Sequence, residues 1–281
     1  MKYPKKRTQG HYEDSKSGNR PDRRGGHPAK RASGSKERPR GEKAEAEEIR
    51  LNKFIADSGV CSRREADKLI ASGVVLVNGK VVTALGTKVS SRDKVTIGTQ
   101  SLKREKLQYV LLNKPKGYIT TMKDPQERKT VSLLIQHACK ERIVPVGRLD
   151  RNTTGLLLFT NDGQLAKKLT HPKHKIKKIY QVELDKPLTK SDLLAISEGV
   201  TLEDGFIAAD KVAYLDPERK SVVGIEIHSG KNRIIRRIFA HLGYNVIKLD
   251  RTVFAGLTKK DIPRGKYRHL TTMEVNYLRM L

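Results

Sequence analysis

The sequence predicts an α+β protein: a small helix–helix–hairpin unit, then a larger unit whose mixed, mainly antiparallel sheet is flanked by helices. Three observations predict this. Residues 1–48 are poor in apolar side chains and rich in Lys, Arg, Gly, Ser and Pro, so they bury too little surface to fold and read as a disordered basic arm. From residue 49 apolar residues return, first at helical spacing and then in alternation. Beyond residue 108 strands and helices alternate irregularly, with many strands too close together for crossover helices, which favours antiparallel pairing. The expected division is an arm at 1–48, a small domain at 49–107 and a large domain at 108–281.

Composition narrows the partner. The formal net charge is +27 over 281 residues, and the arm carries only a small part of it. So large a basic excess points to a polyanion, nucleic acid before anionic membrane. No run of about 18 apolar residues is present, so no membrane span is expected. The N-terminus lacks an apolar signal core, which predicts a cytoplasmic protein. The two cysteines, Cys61 and Cys139, read as reduced thiols, and neither their spacing nor the pair His171 and His174 makes a metal set. No metal, cofactor or nucleotide-binding loop is expected.

In the small domain, Leu51, Phe54 and Ile55 have helical spacing, and Ser58-Gly59 ends that turn. Ser62 with Glu65 three residues on is a capping box for a helix over Arg63–Ala71. Val74–Val77 and Val81-Val82 flank Asn78-Gly79, a tight hairpin turn. Asp93–Ile97 closes the unit as a strand, and Ser101–Gln108 is a charged linker. This pattern resembles the small S-four-type RNA-binding domain. The resemblance rests on Leu51-Asn52-Lys53-Phe54, Ser62-Arg63-Arg64-Glu65-Ala66, the Val-Asn-Gly hairpin and the closing strand. It implies that the helical face and the hairpin grip RNA backbone through Lys53, Arg63, Arg64, Lys68 and Lys80. Such phosphate contacts give salt-dependent affinity and little sequence choice.

The large domain opens with the apolar strand Tyr109–Lys114 and a Lys-Pro-Lys-Gly turn. Gly147-Arg148-Leu149-Asp150 then leads through Arg151-Asn152-Thr153-Thr154-Gly155 into the apolar run Leu156–Phe159. A buried strand fixes this turn, and the turn presents Asp150. Asp162 reads as the N-cap of a helix over Gln164–Thr170, stopped by Pro172. In Ile179–Leu184, Tyr180, Val182 and Leu184 share one apolar face by period-two alternation. A strand over Val222–His228 ends at Ser229-Gly230, and a helix runs on to Leu242 with Gly243 as its stop. Ile234, Ile235, Ile238 and Leu242 form its apolar stripe, with Arg233, Arg236 and Arg237 on the other face.

Three of these segments together resemble the pseudouridine synthases of the RsuA/RluB family, which modify ribosomal RNA, and the RluB-like branch in particular. The likeness runs from about Arg50 through Gly265–Leu270 and Glu274. It implies that Asp150 is the catalytic carboxylate, that Tyr180 packs against the target base, and that Arg236 is the cation paired with Asp150, keeping it ionised. Arg148 would fill the vacated space or hold a phosphate after the base is flipped out. Arg233, Arg237, Lys248 and Arg251 are further candidate RNA contacts. Ile234 stands where the family pattern has Gln. The implied reaction isomerises uridine to pseudouridine in ribosomal RNA, of the large subunit for this branch. Implied partners are ribosomal RNA or an assembling subunit, and a monomer is expected because the sequence shows no heptads or large apolar surface patterns. The rival reading is a non-catalytic RNA-binding assembly factor. The arm reads either as an RNA-gripping extension or as a solubilising one.

Overall fold

A computed structural model describes residues 48–281. The expected arm lies outside the described residues, apart from Glu48 at its end, which pairs with Lys88 at 3.4 Å.

Residues 49–102 fold on a core of their own. Helices α1 (Leu51–Asp57) and α2 (Arg63–Ala71) bury Leu51, Phe54 and Ile55 against Ala66 and Ile70. The Ser62 hydroxyl accepts from the Glu65 amide at 3.3 Å, and the Ser62 amide donates to the Glu65 carboxylate at 2.8 Å. Two orphan amides at the start of α2 are thereby satisfied. Strands β1 (Val75–Val77), β2 (Lys80–Val81), β3 (Val95–Ile97) and β4 (Gln100–Ser101) form a sheet in the order β2-β1-β3-β4. Asn78 and Gly79 both take positive φ, as a two-residue hairpin between right-twisted strands requires.

The large unit is built on one sheet. Its main strands are β5 (Tyr109–Lys114), β6 (Thr154–Thr160), β7 (Lys178–Leu184), β8 (Lys211–Tyr214), β9 (Val222–Ile227), β10 (Val246–Phe254) and β11 (Tyr267–His269), with two short strands, Val144–Pro145 and Leu257–Thr258, added beside β6 and β10. They lie in the order β8-β9-β7-β10-β6-β5-β11. Every neighbouring pair is antiparallel except β10 with β6. The mixed, mainly antiparallel sheet is therefore as the sequence predicts. Among the described residues, four helices of two turns or more flank it, α3 (Gly163–Thr170), α4 (Lys190–Glu198), α5 (Ile234–His241) and α6 (Thr272–Met280), beside the single turn Ser132–Ile135. Asp162 caps α3 by accepting from the Leu165 amide at 3.0 Å, so its role is structural.

Central strands β5 and β6 are apolar on both faces because both faces are covered. Val110, Leu112, Leu157 and Phe159 join a core with Ile196 of α4 and Ile235 and Ile238 of α5. The alternate residues Leu111, Leu156 and Leu158 join a second core with Leu165 and Leu169 of α3 and Leu278 of α6. Each such side chain contributes about 1.5–3 kcal/mol on burial. This double burial holds β6 rigid, and β6 carries the turn that precedes it. The start of β6, the ends of β5 and β9 and the start of β7 meet at one end of the sheet.

Candidate active site

Asp150 sits in the turn before β6, and backbone bonds hold that turn on both sides of it. The Lys114 ammonium, wholly buried at the end of β5, donates to the carbonyl oxygens of Asp150 at 3.1 Å, Thr153 at 2.8 Å, Arg151 at 3.4 Å and Pro115 at 3.1 Å. A buried ammonium costs free energy unless polar groups replace its water; here carbonyl dipoles do so. Burial still pushes the Lys114 pKa down to about 8, with Asp150 opposing the shift and Arg264 adding to it. On the other side, the Thr120 hydroxyl donates to the Leu149 carbonyl at 2.8 Å and the Leu149 amide lies 3.2 Å from the same hydroxyl. The Gly117 amide donates to the Arg151 carbonyl at 2.8 Å. The backbone is fixed while the Asp150 side chain stays partly open.

Gly155 lets β6 and β10 approach. Its φ is +102°, and a Cβ there would lie 2.2 Å from the Arg251 carbonyl oxygen. The parallel register pairs Gly155 with Arg251 and Thr154 with Asp250. Arg251 is in turn the partner of Tyr180 on β7. Asp150 and Tyr180 thus line one cavity of about 500 Å³, together with Arg233, Leu249, Arg251 and Phe254. The walls contributed by Tyr180, Leu249 and Phe254 are apolar and suit a flat ring. Arg148 is exposed and also lines the cavity.

The structure departs from the sequence reading at the arginines. The cation that reaches Asp150 is Arg233, with Nη1 3.5 Å from Oδ2. Arg236, expected as its partner, makes no direct ion pair with Asp150, although the charge of that carboxylate acts on it. Arg233 precedes α5 in a left-handed conformation, φ 49°, so its side chain leaves the helix and enters the cavity. Arg236 lies a turn later; its Nη1 donates to the Val246 carbonyl at 2.8 Å, and its buried Nε has no partner among the described residues. Burial lowers the Arg236 pKa, the like charge of Arg233 adding to the effect and the Asp150 carboxylate opposing it.

Arg237 is held by Asp204 through both terminal nitrogens, at 3.0 and 2.5 Å. Arg251, expected to face RNA, is 3 % exposed and lines the cavity. Its Nε donates to the Leu156 carbonyl at 2.8 Å and its guanidinium lies over the Phe254 ring. Strand alternation puts it on the cavity face with Tyr180. Lys248 is exposed and pairs with Glu183 at 2.9 Å. Ile234 is buried in the core of α5, so this position offers no polar group. In the small domain Arg63, Arg64, Lys68 and Lys80 are exposed and Lys53 is half-buried.

Sequence reasoning did not single out Lys114, Thr120 or the ammonium of Lys178. Lys178 donates to the carbonyls of His228 at 2.7 Å and Ile176 at 2.9 Å, and burial, with Arg251 beside it, lowers its pKa to about 8. The available signal for Lys114 was a lysine closing an otherwise apolar strand just before a proline.

Known proteins resemble this chain over both of its folded parts. The RNA pseudouridylate synthase model matches residues 108–241, and the S4 domain model matches residues 49–95. Ribosomal large subunit pseudouridine synthase B of Bacillus subtilis is 43% identical over 235 residues, covering 83% of this chain and 96% of the relative. The chain belongs to the RNA pseudouridine synthase family. This pseudouridine synthase is also 37% identical over 230 residues to the dual-specificity RNA pseudouridine synthase RluF of Escherichia coli K12, covering 81% and 77% of the two chains. A crystal structure of a pseudouridylate synthase matches with a TM-score of 0.60 at 32% identity, covering 82% of this synthase and 99% of that chain. The matched family region ends at the close of α5, so the synthase sheet extends beyond it through β10 and β11.

Proposed function

We propose that this synthase isomerises a uridine of large-subunit ribosomal RNA, with Asp150 as its catalytic carboxylate. The observation that carries this reading is the Asp150 carboxylate, on a turn pinned from both sides, in a cavity walled by Tyr180. A stacked base cannot enter such a cavity, so the uridine is flipped out of the RNA. The bond from N1 to the ribose C1′ breaks, the base rotates, and C5 bonds to C1′. The proton lost from C5 balances the one gained at N1, so no oxidant, metal or cofactor is consumed. Asp150 either attacks the base or acts at the ribose; each route uses its carboxylate oxygen. Arg233 balances the Asp150 charge, Tyr180 stacks on the base, and Arg148 occupies the space the base vacates or holds its phosphate.

In this reading residues 49–107 anchor the RNA, with Arg63, Arg64, Lys68 and Lys80 on its phosphates, and residues 108–281 perform the chemistry. The arm, residues 1–48, adds charge. The enzyme works as a cytoplasmic monomer on ribosomal RNA or on an assembling subunit. The test is a pseudouridine map of ribosomal RNA from cells lacking the protein, complemented with the natural chain or with Asp150→Asn. One uridine modified only with the natural chain is the expected result. A site restored by Asp150→Asn overturns the catalytic assignment, and an unchanged map overturns the substrate.

A further inference from the structure

Beyond the family-matched region, Asp250 sits on β10 with its side chain 13% exposed and three partners. Its carboxylate accepts from the Thr154 hydroxyl at 2.6 Å and from Arg264 Nη1 at 2.8 Å, and pairs with the Lys259 ammonium. Thr154 is the first residue of β6, directly after the Asp150 turn. Arg264 Nη1 also donates to the Asn113 side chain at 2.9 Å and lies 3.4 Å from the Lys114 carbonyl. The segment around Arg264 is laced to the same strand end: the Asn113 amide donates to the Lys266 carbonyl at 3.0 Å, the Gly265 amide to the Asn113 carbonyl at 2.8 Å, and Asn113 Nδ2 to the Ile262 carbonyl at 2.8 Å. Lys114, next to Asn113, is the residue whose ammonium gathers the carbonyls of the turn.

We propose that Asp250 and Arg264 are positioning residues for the isomerisation: together they clamp the end of β5, which carries Lys114, to the start of β6, and so fix where the Asp150 carboxylate points. The proposal rests on the reading of Asp150 given above. Neither residue touches substrate; each acts through the turn. The physical basis is a network of charge-assisted bonds in which one carboxylate and one guanidinium nitrogen are each shared among three groups. Losing one member loosens the rest, and a displacement of about 1 Å at a reacting group can cost about 10²-fold in rate.

Arg264→Met on the full chain is the test, with Asp250→Asn as a second variant. The Arg264 side chain is 43% exposed, and Asp250 keeps Thr154 and Lys259 in that variant, so the fold is expected to persist. Amide hydrogen exchange is read on the peptide covering 147–155. Single-turnover pseudouridine formation and RNA affinity are read on an unmodified large-subunit ribosomal RNA transcript. The expected result is faster exchange in that peptide, a rate lowered about tenfold to a hundredfold, and unchanged affinity. Unchanged exchange overturns the clamp. Faster exchange with an unchanged rate overturns the positioning role. A natural chain that forms no pseudouridine on the transcript counts against the functional reading, and the exchange measurement still decides the clamp.

Discussion

Arg233 Nη1 lies 3.5 Å from Asp150 Oδ2, although one residue precedes helix α5 and the other precedes strand β6. The left-handed backbone at Arg233 makes the contact. Arg236, the cation named by sequence resemblance, donates Nη1 to the Val246 carbonyl and makes no direct ion pair with Asp150.

This relationship orders two variants. Arg233→Met removes the charge facing Asp150 and is expected to lower the single-turnover rate about tenfold, equivalent to about 1.4 kcal/mol of barrier. Arg236→Met removes a bond to backbone and is expected to lower the melting temperature more than the rate. Rapid-quench assays and thermal melts of both variants check this; a larger rate loss in Arg236→Met would reverse the assignment.

Lys114→Met keeps the volume of the side chain but takes the ammonium from the carbonyls of Asp150, Arg151 and Thr153, of which Asp150 and Arg151 keep only the backbone amides of Thr153 and Gly117. A buried acceptor left unmade costs about 1–3 kcal/mol. A stability loss of about 3 kcal/mol in urea unfolding is expected, with turnover lost even where the protein remains folded. An active, equally stable variant would show that the turn holds without the ammonium.

Lys114 and Lys178 both titrate at about 8, pulled down mainly by burial. An ordinary lysine in the unfolded chain keeps its proton to about pH 10.4. Between those values the unfolded chain binds more protons, so the contribution of these two groups to stability rises with pH. Activity is expected to run the opposite way. Each lost proton removes a charge-assisted donor from the carbonyls around the site. Turnover at saturating RNA should therefore decline above a pH of about 8 while the melting temperature holds or climbs. A rate that stays flat through pH 9 would exclude control by either lysine.

Gly155→Ala places a Cβ 2.2 Å from the Arg251 carbonyl oxygen, at a φ of +102° that L residues rarely adopt. Backbone cannot give way there without parting β6 from β10. The expected cost is about 2 kcal/mol or more, with loss of turnover, read by thermal unfolding and the same rate assay. A variant with natural stability would mean that the two strands separate cheaply.

Much of the scaffold was legible because its signals are local. The Ser62 and Glu65 capping box, the Asn78-Gly79 turn, the Asp162 cap and the Tyr180, Val182 and Leu184 alternation each depend on residues a few positions apart, and each took the expected form. Arg251 shows where such reading stops. Its basic side chain on a strand reads as an RNA contact, yet it is buried because its neighbours in the sheet are Tyr180 and Gly155.

The sequence by itself determined the capped helices, the Asn78-Gly79 hairpin, the strands that carry Tyr109, Leu156, Tyr180 and Val222, the mainly antiparallel character of the sheet, and the turn that presents Asp150. These follow from backbone periods of 3.6 and 2 and from residues with narrow conformational preferences. Tertiary structure alone decided which arginine meets Asp150, which carbonyls Lys114 gathers, and that Asp250 and Arg264 brace the same turn. Those partners are distant in the chain. They meet because burying both faces of β5 and β6 sets the strand order, and strand order has no local signature.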